Sequence, residues 1–450
     1  MKIFLKTSFI LALFASTLFA HKEWVHQYIV REAYRYLELK LSLTYPDLKN
    51  HIGFNFDGYG DENDPWSTGY IGVAAWMEDK NDPIWGYGMA FNGWTASSTH
   101  FWNADLGDNV MTPIFASGDV PNAYSKARIY LFGGQRLFFM KKAWSLEHQQ
   151  IILGRFYSYN SLVEFFQTGR CYYEGYIDLA GYEHLNSPQE IYMDITTARK
   201  YAYQILGRVA HLLHDMSVPA HVHDDAHPCE LGDPDDYELY MGGNSSGMLL
   251  CNDVQSSFPA QSWNKYTASS QGNLIDILSM NDYDGIRYLF YTLNQLSDHF
   301  PSRERSGDNN LPNGSNSYLV SRYQALGAVP PNAVYQDIGN ETFNYAIRAT
   351  ATLFNWFATR VGLSTSPITP LTAVYLMGDF TLYAGGTGHW YTELQNGMEP
   401  FTYSWQIMYL DGAGYLQTYE SVKKEKEKRE KDKDKKKEKK IKTRKKMVKL

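Results

Sequence analysis

Cysteine is scarce, and three in 450 residues cannot make a disulfide framework. In an oxidising compartment Cys229 could join Cys251, leaving Cys171 over. Long apolar runs are missing too: no stretch reaches the roughly 18 uninterrupted apolar residues of a membrane-spanning helix. Basic charge is thin over most of the chain. Residues 421–450 hold 17 of the 42 Lys and Arg residues and six of the 49 Asp and Glu, which leaves 25 basic against 43 acidic residues in 1–420. A body of that sign repels phosphates over most of its surface, which argues against wrapping duplex DNA and suits metal cations. There is no P-loop, no Rossmann glycine run and no Ser-His-Asp order. What is abundant is apolar and aromatic: 44% hydrophobic and 15% aromatic residues, with 35 Tyr and 11 Trp, supply a globular core and aromatics to spare for a cleft.

The chain reads as five segments. In 1–20, Lys2 and Lys6 precede an apolar run from Phe9 to Phe19 and then Ala20, the layout of a cleaved signal peptide, which implies a secreted or periplasmic/extracellular protein. Beyond it, Val25, Ile29, Ala33 and Leu37 recur at four-residue intervals between Trp24 and Leu41, the stripe of an amphipathic helix. Further helical stretches near 121–150, 187–216, 273–299 and 340–361, divided by Gly/Asn/Asp/Pro-rich loops, predict a mostly α body over 21–363. A Ser/Thr/Pro linker follows at 364–372. The alternating runs AVYLMG, FTLYAGG, HWYTEL, FTYSWQIMYL and YLQTY, each bounded by turn residues, predict a β module over 373–420, shorter than the ~100 residues of a whole sandwich. The lysine-rich tail, 421–450, has no apolar face and reads as solvated and disordered, with adhesion to anionic lipid or nucleic acid as its functional alternative.

Five of the 13 histidines fall between His211 and His227. His211 and Asp215 are four apart on a predicted helix, so they share a face on which they can grip one cation. Pro219 is expected to end that helix, with His221 and His223 in the following turn, His227 just beyond and Glu238 downstream in GDPDDYELY. Imidazole and carboxylate without thiolate is the ligand set of hydrolytic zinc sites. Taken singly, His148, His214 and His299 read as surface or core histidines, and within the cluster His214 and His223 are the spares.

The run HLLHDMSVPAHVHDDAH resembles the core of the zinc-dependent phospholipase C family, whose His, Asp, Pro and His are matched by His211, Asp215, Pro219 and His221. Upstream, THFWNAD, from Thr99 to Asp105, is similar to the family's His-Phe-Trp-x-x-Asp stretch. Glu78-Asp79 stands where the family keeps a metal-bridging Asp, and His26 in VHQYIVREA resembles the histidine of its first helix. The segment GTGHWYTELQNGMEPFTYSW is similar to immunoglobulin-like modules appended to bacterial secreted hydrolases. Over 21–362 the resemblance implies an all-α domain, shared with fungal single-strand nucleases, that holds up to three zinc ions. One would take Asp79, His100, His211 and Asp215. A second would take His221, His227 and Glu238, with His223 or Asp236 as alternatives, because His227 and Glu238 are eleven apart where the family has about one helical turn. The third would take His26, Asp215 as a bridge and the mature amino terminus, His21, where the family begins with Trp and this chain has Trp24 three residues further in.

The resemblance also implies a reaction: hydrolysis of a phosphodiester bond by a metal-activated water, with Asp79 as ligand and candidate proton acceptor. The implied substrate is a phospholipid, with peripheral membrane contact, and nucleic acid is the alternative substrate. From a different class, the chain could be a non-catalytic secreted zinc-binding adhesion protein that attaches through its β module and tail.

Overall fold

The computed structural model describes residues 23–52, 69–79, 99–109, 121–145, 147–225, 227, 235–242, 273–302 and 332–368, together with strands between 372 and 449. The expected signal peptide, His21, the Cys229–Cys251 pairing, the FTLYAGG strand and the middle of the lysine-rich tail lie outside them. The chain divides into two compact units, Met1–Ser366 and Pro367–Leu450. No described helix is long and apolar enough to cross a membrane.

In the first unit α1 (Glu23–Leu41) buries its four-residue stripe, Val25, Ile29, Ala33 and Leu37. It is followed by α2 (Pro46–Ile52), α3 (Tyr70–Met77), α4 (Ala123–Phe132), α5 (Leu162–Thr168), α6 (Ile195–Asp215), α7 (Pro219–Val222), α8 (Asp236–Gly242), α9 (Asp282–Asp298), α10 (Asn332–Ile338), a π turn at Gly339–Phe343 and α11 (Asn344–Val361). Small polar residues set the starts. Asn122 Oδ1 accepts from Ser125 N at 2.7 Å, Ser161 Oγ from Glu164 N at 3.1 Å and Asp194 Oδ2 from Thr197 N at 3.0 Å, opening α4, α5 and α6. Each such cap satisfies an otherwise orphaned N–H and contributes about 1 kcal/mol.

The centre of the unit is α6, which from Tyr201 to Asp215 is buried at every residue but Gln204. A helix buried on all sides needs neighbours on all sides, and α3 is the one that comes closest. A Cβ at Gly207 would lie 2.2 Å from the carbonyl oxygen of Ile71 and 3.0 Å from Ala74 Cβ, so the bare glycine is what lets the two backbones meet. That approach brings the carboxyl end of α3, with Glu78 and Asp79, against the face of α6 that ends in His211 and Asp215.

The all-α expectation fails between Leu137 and Tyr192. Here β1 (Leu137–Ser145), β2 (Gln150–Ser158), β3 (Arg170–Asp178) and β4 (Glu183–Tyr192) form an antiparallel sheet in the order β1-β2-β3-β4, and the body is mixed α/β. The helix expected over 121–150 is real only to Phe132, where Gly133 turns away with φ 75°. The one expected from 187 begins at Ile195, behind the Asp194 cap, because 187–192 is the end of β4. Alternation is plain in β3, where Cys171, Tyr173, Gly175 and Ile177 are buried and their neighbours are less so. In β2 the same alternation holds at Ile152, Gly154 and Phe156, and in β1 it is broken by consecutive buried apolar residues and by a register shift between Met140 and Ala143. The sheet joins the core through Phe139, whose ring centroid lies 4.2 Å from that of Tyr201 on α6, while β4 is exposed almost throughout.

The second unit contains β5 (Thr372–Gly378), β6 (Thr387–Gln395), β7 (Thr402–Leu410), β8 (Leu416–Glu425) and β9 (Lys446–Lys449). They form an antiparallel three-stranded sheet, β9-β6-β5, and a β7-β8 pair. The two ends of the lysine-rich segment are thus extended chain: β8 runs to Glu425, and Lys446–Lys449 pairs with Trp390 back to Thr387.

Candidate metal centre

Four side chains from three places converge beside α6: Asp79 from the turn that ends α3, His100 from the stretch after Thr99, and His211 and Asp215 from the last turn of α6 itself. All four are buried. His100 Nδ1 lies 3.2 Å from Asp79 Oδ1 and 3.4 Å from Asp215 Oδ2. His211 Nε2 lies 3.3 Å and 3.4 Å from the same two oxygens and 3.3 Å from His100 Nδ1. Ligand atoms placed tetrahedrally at about 2.0–2.1 Å from one ion stand about 3.3–3.4 Å apart, close to the spacing of the two imidazole nitrogens from each other and from both oxygens. Both carboxylates are buried, and none of their oxygens makes a well-formed hydrogen bond even to the imidazoles beside them. Two buried carboxylates left that way are costly, and a cation between them removes the cost.

A second group lies next to the first. His221 Nε2 is 3.2 Å from Glu238 Oε1 and His227 Nε2 is 3.4 Å from Glu238 Oε2. Pro219 does not terminate α6, which ends at Asp215; it occupies the first turn of α7, and His221 stands on that helix and not in a turn. Glu238 is in the first turn of α8, where its N–H donates to Asp235 Oδ1 at 2.8 Å. The alternatives point elsewhere. His223 has Nε2 3.1 Å from Asp298 Oδ1 and Nδ1 3.3 Å from Ser302 Oγ, and Asp236 accepts from the Tyr335 hydroxyl at 3.3 Å.

Backbone carbonyls fix three of the rings. His211 Nδ1 is 2.5 Å from Ala75 O, His221 Nδ1 is 3.0 Å from His100 O and His227 Nδ1 is 2.8 Å from Asp225 O. A carbonyl only accepts, so in each neutral ring the proton sits on Nδ1 and the Nε2 lone pair faces the group. The His221 bond also ties the second group to the first. Burial pulls His100 down to about 4. Burial would do the same to His211 and His227, but the Asp215 and Asp79 carboxylates push His211 up to about 9, and Glu238 pushes His227 up to about 10. Protons and a cation therefore compete for the same nitrogens.

His26, in the first turn of α1, is fully buried, and its ring stacks on His211 with centroids 3.7 Å apart. Its Nε2 is 3.7 Å from Asp215 Oδ1. Asp215 thus turns one oxygen to the four-atom group and the other to His26, whose ring also has ligand atoms of Asp79 and His211 within 4.8 Å. His21, the remaining expected ligand on that side, lies outside the described residues. His214, a spare on sequence grounds, is in fact buried behind His26: its Nδ1 is 3.2 Å from His26 Nδ1 and its Nε2 3.0 Å from Thr350 Oγ1. Standing three residues after His211, it falls near the ligand-bearing face of α6, and that spacing was the signal for it. Of the nearby aromatics, Phe101 lies flat on the His221 ring at 4.4 Å and walls the second group, whereas Trp76 and Trp102 are core.

The residues present can therefore hold metal ions in buried His/Asp/Glu groups. Comparison with known proteins returns no matching family model, no matching curated protein and no matching solved structure, so the functional reading rests on this geometry and on the sequence.

Proposed function

We propose that the chain is a secreted zinc-dependent phosphodiester hydrolase of the phospholipase C type, holding up to three zinc ions. The observation that carries this is the pairing of a four-ligand group with an adjacent three-ligand group joined through the bond from His221 Nδ1 to His100 O. Mixed imidazole and carboxylate ligands at four-coordinate spacing suit zinc over magnesium or calcium, which take six or more oxygens. Two histidines and one glutamate leave a tetrahedral ion one open position, as catalytic and not structural sites do. Bound zinc would supply a water with a pKa near ~7 and neutralise phosphoryl charge. The chain's own part is to aim the lone pairs, to shield one side of the second group with Phe101, and to offer the buried Asp79 carboxylate as ligand and proton acceptor. The acidic body favours a zwitterionic headgroup over a polyanionic strand.

Phosphorylcholine release from phosphatidylcholine vesicles, measured beside nucleotide release from single-stranded DNA, tests both parts. Phosphorylcholine release is expected to be the faster, to vanish with a chelator and to return with zinc. Faster nucleotide release by protein lacking residues 421–450 would overturn the lipid assignment in favour of a nuclease. Cleavage of neither by zinc-loaded protein would leave the adhesion reading.

Because the mature amino terminus is proposed as a ligand beside His26, protein that keeps Met1–Ala20, or carries a tag directly before His21, should bind one zinc fewer and hydrolyse phosphodiesters poorly. Equal zinc content and activity in processed and unprocessed protein would exclude that ligand.

A further inference from the structure

We infer that Lys126, which belongs to neither ligand group, is a positioning residue that staples the Asp79 turn to the His100 stretch from behind. Its side chain is fully buried, and Nζ lies 2.5 Å from Glu78 Oε1 and 2.8 Å from Thr99 Oγ1. Glu78 is the residue before Asp79, and Thr99 is the residue before His100. One ammonium therefore grips the immediate neighbours of two ligands that stand 3.2 Å apart in the four-atom group. The same Glu78 carboxylate accepts from Arg208 Nη1 at 2.5 Å and from the Tyr130 hydroxyl at 3.0 and 3.1 Å. Arg208 is on α6, one turn before His211, and Lys126 and Tyr130 are one turn apart on α4. The three segments that carry Asp79, His100 and His211 are thus referred to a single buried carboxylate.

Stability alone does not call for this arrangement, since replacing a whole buried ion pair with apolar side chains of similar volume is often neutral or stabilising, whereas removing one partner strands the other. What an ammonium provides and a methionine cannot is two directed bonds to two loops. Lys126 and Arg208 against Glu78 also leave one net positive charge behind the carboxylates of Asp79 and Asp215, which offsets their mutual repulsion.

The inference rests on the metal reading of the four-atom group, not on the reaction. Zinc affinity of the full mature chain, read by competition with a chromogenic chelator, tests it in Glu238→Gln and Asp79→Asn backgrounds, which disable the three-ligand and the four-atom group respectively. Lys126→Met should lower affinity at the four-atom group by about 10–100-fold, as loss of an outer-shell partner does, and leave the His221/His227/Glu238 group within about twofold. Thr99→Val keeps the ion pair and cuts only the second bond, so it should give a smaller loss at the same group and shift the visible spectrum of the cobalt(II)-substituted protein. Wild-type affinity in a folded Lys126→Met protein, or an equal loss at both groups, would overturn the inference. Where Lys126→Met does not fold, Thr99→Val decides: wild-type affinity with an unmoved cobalt spectrum overturns it. If wild-type protein cleaves no phosphodiester and the affinity losses still appear, the proposed function falls and the positioning role stands.

Discussion

Replacing Asp215 with asparagine should cost the protein more than one metal ion. The two carboxylate oxygens serve different neighbours: Oδ2 is 3.4 Å from both His100 Nδ1 and His211 Nε2, and Oδ1 is 3.7 Å from His26 Nε2. An amide has the same shape but no charge, and one of its two ends carries hydrogens that cannot ligate. Both the four-atom group and the His26 side are weakened at once, by more than the ~10–100-fold that follows loss of an outer-shell partner. Metal-free protein should respond in the opposite direction. Without the ion, burial and the neighbouring Asp79 carboxylate push Asp215 well above the usual carboxylate range, a cost to the folded state at neutral pH that asparagine removes, so the stripped variant should melt higher than stripped wild type. Elemental analysis and paired melting curves, with and without chelator, measure both effects. Full retention of zinc in the variant would remove the bridging role.

Gly207→Ala should loosen the fold and the metal centre together. The new methyl would sit 2.2 Å from Ile71 O, well inside any real contact, and the obstacle is backbone that cannot rotate aside. Overpacking of this kind costs about 1–3 kcal/mol. The better helix propensity of alanine returns at most ~1 kcal/mol, so a net loss follows. The helices must part where α3 leads to Asp79 and where Ala75 O receives His211 Nδ1 at 2.5 Å. The separations of 3.3 Å and 3.4 Å that suit one small ion would widen. A lowered melting temperature accompanied by weaker zinc binding is the expected result, and a melting curve and affinity equal to wild type would show that α3 yields without cost.

Both outcomes depend on how the chain encodes the site. His211, Asp215 and His221 are close in sequence, and helical periodicity alone places the first two on one face. The stripe of α1 is legible for the same reason. What the sequence hides is long-range. Lys126 sits in AYSKARIYLF, where a lysine ordinarily marks the solvated face of a helix, and nothing local says that Glu78 and Thr99 will close over it. His214 looks like an ordinary core histidine until His26 arrives from the other end of the unit. The choice of His227 over His223 depends on Asp298 and Ser302, which draw His223 away. The sheet is hidden for a different reason: runs such as LFF and QIIL satisfy a helical window as well as a strand window, and the register shift between Met140 and Ala143 breaks the alternation that would have separated them.

The four-atom group draws its members from residues 79, 100, 211 and 215, so it joins segments more than 100 residues apart. Closing loops of that length is a late event on a folding path, because the entropy of joining distant segments must be met before their contacts can repay it. An ion seated there would act on a part of the structure that the folding transition state has not yet assembled. Its influence belongs to the rate at which the native chain comes apart and much less to the rate at which it forms. For the secreted protein proposed above, that is the quantity that would set how long it lasts once outside the cell.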